Sequence, residues 1–426
     1  MSDSLGVYIS IPFCRAKCSY CNFASGVFRP ERMERYVERL TSEIACTRAL
    51  ATRLQASLPD RVDTIYLGGG TPSLLSAEQV QRLFTTLRNQ FVVAPDAEIT
   101  VECAPGQLPD QTLEELQRQG MNRVSLGVQS FIDAESRAVG RLHTRVSCLD
   151  EIARLRAAGL DEINLDLIAG LPRQTRASLL ESIDVALATN VPHLSLYMLE
   201  VDEDSRLGRE LLDHGRRYGA DAVPTEDDTA DWTTEACERL ASGGVAQYEI
   251  SNFARSQSNS AGAGKREPDH RSRHNVKYWH RDPYLGFGLD AHSMLRRAGD
   301  FAEALRWANP DELDAYLEQQ SLAGVPKPDT APKAELAAKT EFAPKAEVVT
   351  RERAFEETIF LGLRMNEGLD LSRLREQFGE ALLDAAPTSL AEVEEAGLLA
   401  RDGSRIRLTP RGRMASNEVF SRLLVS

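Results

Sequence analysis

Apolar residues follow two alternating patterns through the first half of the chain: short continuous runs, and steps of three and four residues. The runs have the length of strands and read "LGVYISI", "DTIYL", "EITVE", "RVSLGV", "EINLDLI" and "HLSLYML". The stepped stretches are typical of amphipathic helices, and the first of them places its apolar side chains at Met33, Tyr36, Val37, Leu40 and Ile44. Because strands and helices alternate, we predict an α/β fold with a parallel sheet.

Six strands of this kind can form a doubly wound sheet or an incomplete (β/α)6 barrel, and periodicity does not distinguish the two. Polar candidate residues stand at or near the carboxyl ends of these strands. Folds of both kinds place their functional sites at that edge.

Two stretches interrupt the alternation. Residues 255–272 are small, polar and glycine-containing, which predicts a surface loop. The Ala-, Pro-, Lys- and Glu-rich stretch 325–348 repeats "APKAE" and predicts a solvated linker. Short helical stretches and a β-wing at "SRIRLTPRG" then predict a winged-helix-like tail. We divide the chain into a core (1–254), a polar insertion with the region after it (255–321), a linker (322–349) and a C-terminal domain (350–426).

Composition limits the classes of function. The apolar fraction of 42% allows a sizeable core, and no window approaches the ~18–20 apolar residues of a membrane span. The start "MSDSLGVYIS" lacks the marks of a secretory signal, so we expect a cytoplasmic protein, with a peripheral membrane location left open. A net charge of −14 argues against nonspecific nucleic-acid binding, so no nucleic-acid partner is expected.

Three of the seven cysteines form one C-x3-C-x2-C cluster at Cys14, Cys18 and Cys21. Three thiolates this close can hold three irons of a [4Fe–4S] cube and leave the remaining iron open to a small molecule. S-adenosylmethionine (SAM) bound there could accept an electron and lose a C–S bond. The alternatives are a zinc site, which usually needs a fourth ligand, and chance clustering of reduced thiols.

The other cysteines have simpler interpretations. Cys46, Cys148 and Cys237 fall in helical stretches and are predicted to pack in the core. Cys103 follows a strand near the predicted site, and its role stays open.

The motifs taken together resemble a known family. "YISIPFCRAKCSYCNF", "LGGGTPS", "NRVSLGVQSF", "INLDLIAGLP", "YEISNFA", "RHNVKYW" and "ETIFLGLRMNEGLDL" are similar, in this order, to the radical-SAM superfamily of oxygen-independent coproporphyrinogen III oxidases. The resemblance covers nearly the whole chain apart from the two interrupting stretches. It implies an incomplete (β/α)6 radical-SAM barrel with a C-terminal winged-helix-like domain.

One position separates two branches of this superfamily. The oxidases carry a further cysteine two residues after the last cluster ligand, and their activity requires it, whereas Phe23 stands there in this chain. Phe23 and the string "HNVKYW" are typical of the haem-chaperone branch. The resemblance thus implies a protein that binds haem as cargo and delivers it to haem-dependent respiratory proteins. The alternatives are oxidative decarboxylation of coproporphyrinogen III, which leaves enzyme activity open, and radical chemistry on another substrate.

The resemblance also implies the cofactor site. It assigns Cys14, Cys18 and Cys21 to the cluster, and it places Tyr8 beside the cluster and Tyr20 against the cofactor. An electron donor such as a flavodoxin or ferredoxin is implied, and a homodimer stays open.

Glycines after the second predicted strand are the next candidates. Gly68, Gly69, Gly70 and Thr71 are expected to contact the methionine part of SAM, because glycine lets a backbone approach a ligand closely. A plain tight turn is the alternative.

Charged and polar residues complete the set of predicted cofactor contacts. By resemblance Glu102, Gln129, Arg141 and Asp166 bind SAM, and a carboxylate suits its ammonium or ribose while a guanidinium suits its carboxylate. Each could also belong to a structural ion pair.

His274 is the candidate haem-site residue, since imidazole is a common axial ligand of haem iron. A structural histidine is the alternative. Tyr278 and Trp279 could stack on a porphyrin or pack in the core, and His280 and His292 are weaker candidates.

Overall fold

The computed structural model describes residues 4–255, 269–319, 346–385 and 387–423. Most of the predicted surface loop 255–272 and most of the predicted linker, including its first "APKAE" repeat, lie outside these residues.

The described residues contain strands and helices with the following bounds. The strands are β1 (Leu5–Ile11), β2 (Ala56–Ser57), β3 (Arg61–Gly69), β4 (Val92–Cys103), β5 (Arg123–Gln129), β6 (Ile163–Ala169), β7 (His193–Met198), β8 (Val245–Gln247), β9 (Asn252–Arg255), β10 (Tyr284–Phe287), β11 (His292–Arg297), β12 (Asp300–Ala308), β13 (Glu347–Val349), β14 (Leu369–Asp370), β15 (Leu399–Asp402) and β16 (Arg405–Leu408). The helices are α1 (Pro30–Ala45), α2 (Thr47–Leu54), α3 (Ala77–Gln90), α4 (Asp110–Arg118), α5 (Asp133–Ala138), α6 (Arg145–Ala157), α7 (Arg176–Ala188), α8 (Arg206–Leu212), α9 (Glu226–Ser242), α10 (Arg273–Trp279), α11 (Leu313–Glu318), α12 (Arg351–Arg364), α13 (Leu371–Phe378), α14 (Glu380–Ala385), α15 (Pro387–Glu395), α16 (Pro410–Met414) and α17 (Ser416–Leu423).

The six predicted strands form the centre of one sheet. They are neighbours in the order β1-β3-β4-β5-β6-β7, and every adjacent pair is parallel. A doubly wound sheet reverses its strand order at a switch point, and this sheet does not reverse within the six strands. The sequential order confirms the incomplete barrel and excludes the doubly wound alternative.

Further strands extend the sheet at both sides. β10 is parallel to β1 and is followed by antiparallel β11, β12 and β13, while β9 and β8 continue beyond β7 in antiparallel pairing. The two ends of this 13-stranded sheet do not pair, so the barrel is partial and not closed.

Helices cover the sheet through the faces that the apolar pattern marks. α1 buries Tyr36, Val37, Leu40 and Ile44 in the main hydrophobic core. α3 starts with the capping box expected from the sequence: the side chain of Ser76 accepts from Gln79 N–H, and the Gln79 side chain accepts from Ser76 N–H. Among the described residues, none of the helices has the length and apolar character needed to span a membrane.

The C-terminal part of the chain forms a second core against the first. Helices α12 to α17 pack around a three-stranded sheet of order β14-β16-β15. β16 lies within the stretch predicted as the wing, and the end of that stretch begins α16. Glu357 on α12 fixes this domain to the barrel, because its carboxylate pairs with Arg281 at 3.0 Å and with Arg306 at 2.7 Å. Asn366 N–H also donates to the Tyr248 carbonyl at 2.9 Å.

Candidate functional site

A cavity of about 560 Å³ lies at the carboxyl ends of the parallel strands. Its walls include the cysteine loop, the ends of β3 to β7, parts of α9 and the β8–β9 hairpin, and the C-terminal domain. Loops at this edge of a parallel barrel carry the functional residues in α/β barrels generally. The cavity is therefore the candidate site.

Hydrogen bonds fold the cysteine loop back on itself. Gly26 N–H donates to Pro12 O, and Cys14 N–H donates to Gly26 O, both at 2.9 Å. The Lys17 ammonium lies inside the loop and donates to the carbonyls of Phe23 and Ser25 at 3.2 and 2.9 Å. Backbone hydrogen bonds and the Lys17 side chain thus hold the loop in this shape.

All three thiols of the cysteine loop line the cavity. Burial raises the pKa of Cys14, hydrogen bonds with Thr71 and Ser25 oppose the rise, and the negative charges of Cys21 and Cys18 add to it. Thiolates placed this close need a positive centre between them.

The donor set fits an iron–sulfur cluster better than a single metal ion. In the described part of the chain, no three His, Cys, Asp or Glu side chains are grouped as ligands for one ion. A closed zinc site would need a fourth ligand beside the three thiols. Three thiols facing one open cavity suit a cube that is held through three of its irons.

The glycine turn after β3 supports the cysteine loop. Gly70 N–H donates to Ile11 O and Thr71 N–H donates to Phe13 O, both at 2.8 Å. A Cβ on Gly70 would lie 2.8 Å from Phe13 O and 2.9 Å from Ile11 O. Gly69 has a φ of +103°, which favours glycine. These glycines are therefore required by the turn itself, and their contact with SAM stays a prediction.

Glu102 at the end of β4 is a buried carboxylate of the cavity wall. It accepts hydrogen bonds from the Tyr66 hydroxyl at 2.9 Å and from Gly69 N–H at 3.1 Å. Burial and the nearby Asp166 raise the pKa of Glu102 to about 7, although both hydrogen bonds act in the opposite direction.

Asp166 on β6 is a second buried carboxylate that faces the cavity. Ser125 Oγ donates to its Oδ2 at 2.9 Å, and Asn164 Nδ2 donates to its Oδ1 at 2.8 Å. Burial raises the pKa of Asp166, while these hydrogen bonds and Arg141 oppose the rise. Two carboxylates with raised pKa values suit a cationic ligand, which would favour their charged forms.

Arg141 and Gln129 line the same cavity, as the sequence predicted for a shared site. The Arg141 guanidinium donates to Cys18 Sγ at 3.4 Å and to the Gly127 carbonyl. Gln129 ends β5 with a φ of +67°, which turns the chain out of the strand.

The two tyrosines predicted near the cluster have different positions. Tyr20 lines the cavity and packs beside Val139, Ile168 and Leu171, and burial raises its pKa. Tyr8 lies behind the wall, where its ring stacks on Tyr66 with centroids 6.2 Å apart.

His274 is not brought into the cavity. It is 1% exposed on α10; its Nδ1 lies 2.9 Å from Thr64 Oγ1 and its Nε2 lies 3.0 Å from the Tyr278 hydroxyl. Burial lowers its pKa to about 3. Both ring nitrogens are engaged, so in this conformation His274 offers no free ligand to haem iron. The Tyr66 ring lies between His274 and the cavity, with the two ring centroids 5.3 Å apart.

Several cavity residues were not predicted from the sequence. Tyr66 on β3 and Tyr197 and Met198 at the end of β7 could have been found from their places near strand ends. Arg364 and Arg413 come from the C-terminal domain, and no local signal in the sequence connects them to the cysteine loop.

The remaining cysteines divide between the core and the cavity. Cys148 is fully buried in the core, as predicted, and Cys46 is half-buried between α1 and α2. Cys103 and Cys237 line the cavity, and Cys237 also packs against the main core.

Comparison with known proteins agrees with this description. Residues 8–186 match the Radical SAM superfamily, and residues 349–415 match the HemN C-terminal domain. The chain is 32% identical to the haem chaperone HemW of Lactococcus lactis, over 98% of this chain and 97% of that protein. It is also 32% identical to the haem chaperone HemW of Bacillus subtilis, over 98% of both chains. The solved structure of coproporphyrinogen III oxidase (HemN) from Escherichia coli superposes with a TM-score of 0.77 at 23% identity, over 99% of this chain and 90% of that one, and this shows a shared fold.

The partial barrel and the three-cysteine loop above its strand ends define a radical-SAM protein. The C-terminal domain narrows the class to the HemN-like proteins. Identity over nearly the full length then shows that the chain belongs to the haem chaperone HemW family.

Proposed function

We propose that this protein is a haem chaperone, which binds haem and delivers it to haem-dependent respiratory proteins. The observation that carries the proposal is the 32% identity to HemW proteins over 98% of the chain. Phe23 supports it, because the oxidases of the superfamily carry a cysteine at that position. Phe23 is 62% exposed at the cavity and offers no thiol.

Cys14, Cys18 and Cys21 would hold a [4Fe–4S] cluster, and SAM would occupy the adjoining part of the cavity. When reduced, the bound cluster supplies an electron that can break a C–S bond of SAM. The residues of this chain position that ligand. The carboxylates of Glu102 and Asp166 face a cationic group, and the Gly69–Thr71 turn holds the wall in place.

Arg141 and Gln129 complete the polar wall of this part of the cavity. The Arg141 guanidinium lies beside one of the three predicted cluster ligands and donates to Cys18 Sγ at 3.4 Å. Tyr20 excludes water from the same side by its packing beside Val139 and Leu171.

The cavity also provides an apolar wall for a flat cargo. Tyr197 and Met198 are 40% and 42% exposed at the end of β7, and Leu196, Ile250 and Phe253 line the cavity near them. We place haem on this wall and leave its iron ligand unassigned, because His274 is enclosed. Respiratory recipients, a flavodoxin or ferredoxin donor, a cytoplasmic location with peripheral membrane contact, and a homodimer are further parts of the proposal.

The test starts from protein purified without oxygen and reconstituted with iron and sulfide. We expect about four irons and four sulfides per chain, an absorbance shoulder near 400 nm, and loss of both in Cys14→Ala. Cys46→Ala is the matched control, since Cys46 lies away from the cavity.

The loaded protein is then given haem or coproporphyrinogen III, each with SAM and a reductant. A chaperone is expected to bind haem stably and to pass it to an apo-acceptor without forming protoporphyrinogen. Conversion of coproporphyrinogen III would contradict the proposal and support the oxidase alternative.

A further inference from the structure

The C-terminal domain forms one wall of the cavity, and that wall is cationic. It contributes Arg364, Arg413, Met414, Ser416 and Asn417. The chain as a whole carries a net charge of −14. Two half-buried arginines in this wall therefore contrast with the negative overall charge of the protein.

Arg413 on α16 has no carboxylate partner among the described residues. Its Nη1 donates to the Leu408 carbonyl at 3.2 Å, and no Asp or Glu in the part of the chain that the structure describes forms an ion pair with it. The side chain is half-buried and lies beside Cys237, which belongs to the same cavity. Burial raises the pKa of Cys237 to about 11, and Arg413 partly offsets that rise.

Arg364 differs from Arg413 because its charge is already matched. Its Nη2 lies 3.5 Å from Oε2 of Glu249, which is fully buried, and its guanidinium lies 4.2 Å from the Trp279 ring centroid. Removing Arg364 would leave the Glu249 carboxylate buried without this partner. Arg364 is thus part of the domain interface, while Arg413 is the cation left for a ligand.

A half-buried guanidinium without an anion has lost part of its hydration, and no opposite charge compensates for that loss. A ligand carboxylate would supply the missing partner and can accept two parallel N–H bonds from one arginine. The carboxylates that line the cavity include Glu102, Asp166 and Glu200, and none of them pairs with Arg413. The apolar wall of Tyr197, Met198, Ile250 and Phe253 belongs to the same cavity.

We propose that Arg413 forms a carboxylate subsite of the cavity, and that its ligand is a propionate of haem. This inference rests on the proposed function, because it takes haem as the cargo of the cavity. It adds that one propionate is held by the C-terminal domain while the macrocycle lies against the end of β7.

The test compares two probes: haem, and iron protoporphyrin IX dimethyl ester, in which both propionates are esterified. Each is titrated into the reconstituted full-length protein in the same detergent-containing buffer and followed by its Soret absorbance. Losing one charge-assisted pair lowers affinity by roughly 10- to 100-fold. We expect that loss for haem in Arg413→Gln, little change for the ester, and partial recovery in Arg413→Lys.

Controls separate a local effect from misfolding. Arg411→Gln removes an exposed arginine from the same helix and is expected to bind both probes as the unmodified protein does. Far-ultraviolet circular dichroism and SAM binding are expected to stay unchanged in Arg413→Gln.

Three results would overturn the subsite. Equal loss of both probes would make Arg413 structural, unchanged haem affinity would remove its role, and weakened SAM binding would assign it to the cofactor. Absence of haem binding by the unmodified protein would contradict the proposed function as well, so the two failures are distinguishable.

Discussion

The buried carboxyl of Glu102 should make the stability of the cluster-free protein depend on pH. Its pKa is raised from 4.5 to about 7, mainly by burial. A shift of that size corresponds to about 3 kcal/mol of unfolding free energy. Below pH ~4.5 both the folded and the unfolded chain hold the proton, so the contribution is fully present.

The sign of this pH dependence follows from which state of the protein, folded or unfolded, loses the proton first. Between pH ~4.5 and ~7 the unfolded chain releases the proton while the folded protein keeps it, so the free energy of unfolding falls as pH rises. Above pH ~7 both states are ionised and the contribution is constant. Glu102→Gln cannot titrate, and subtracting its profile isolates this group.

The assay is urea unfolding of the reduced, cluster-free protein from pH 4.5 to 8, followed by tryptophan fluorescence. The free-energy difference, unmodified protein minus Glu102→Gln, is expected to fall by about 3 kcal/mol over this range. Tyr66→Phe removes a donor to the carboxylate and should move the midpoint to higher pH. A difference that stays flat or rises with pH would refute the reasoning.

Three further substitutions test the fold around the site. Gly70→Ala places a Cβ within 2.9 Å of the loop backbone, so it should cost about 1–3 kcal/mol and lower iron uptake. Gly159→Ala has open space around it but a φ of +84°, so it should lose stability through backbone strain alone and keep its iron. Iron and sulfide analysis of both variants checks this. Glu357→Ala leaves Arg281 buried without this partner, so the free energy of unfolding should fall by about 3–5 kcal/mol. Limited proteolysis should then cut the C-terminal domain faster than in the control variant Glu352→Ala. His274→Ala leaves the hydroxyls of Thr64 and Tyr278 without this partner, so the free energy of unfolding should fall by about 1–3 kcal/mol. The spectrum of bound haem should stay unchanged. An altered Soret band would instead support His274 as a ligand.

The six central strands, their helices and the cysteine loop could be predicted from the sequence alone. These features depend on residues that are close together in the sequence. The spacing of apolar residues follows the repeat of each strand or helix, as in β1 and α1. Cys14, Cys18 and Cys21 lie within one loop. Strand ends also placed Glu102 and Gln129 at one edge, because parallel strands share that edge.

Contacts between residues that are distant in the sequence became visible only in the folded chain. Arg413 reaches the cavity because the C-terminal domain docks through the Glu357 ion pairs, and sequence periodicity carries no record of such docking. The same holds for His274, whose surroundings come from β3 and its own helix: Thr64 and Tyr278 enclose it, although its motif pointed to haem. In the sequence, the glycines after the second strand fitted either a ligand contact or a tight turn. The folded chain shows that Gly70 lies against the backbone of the cysteine loop.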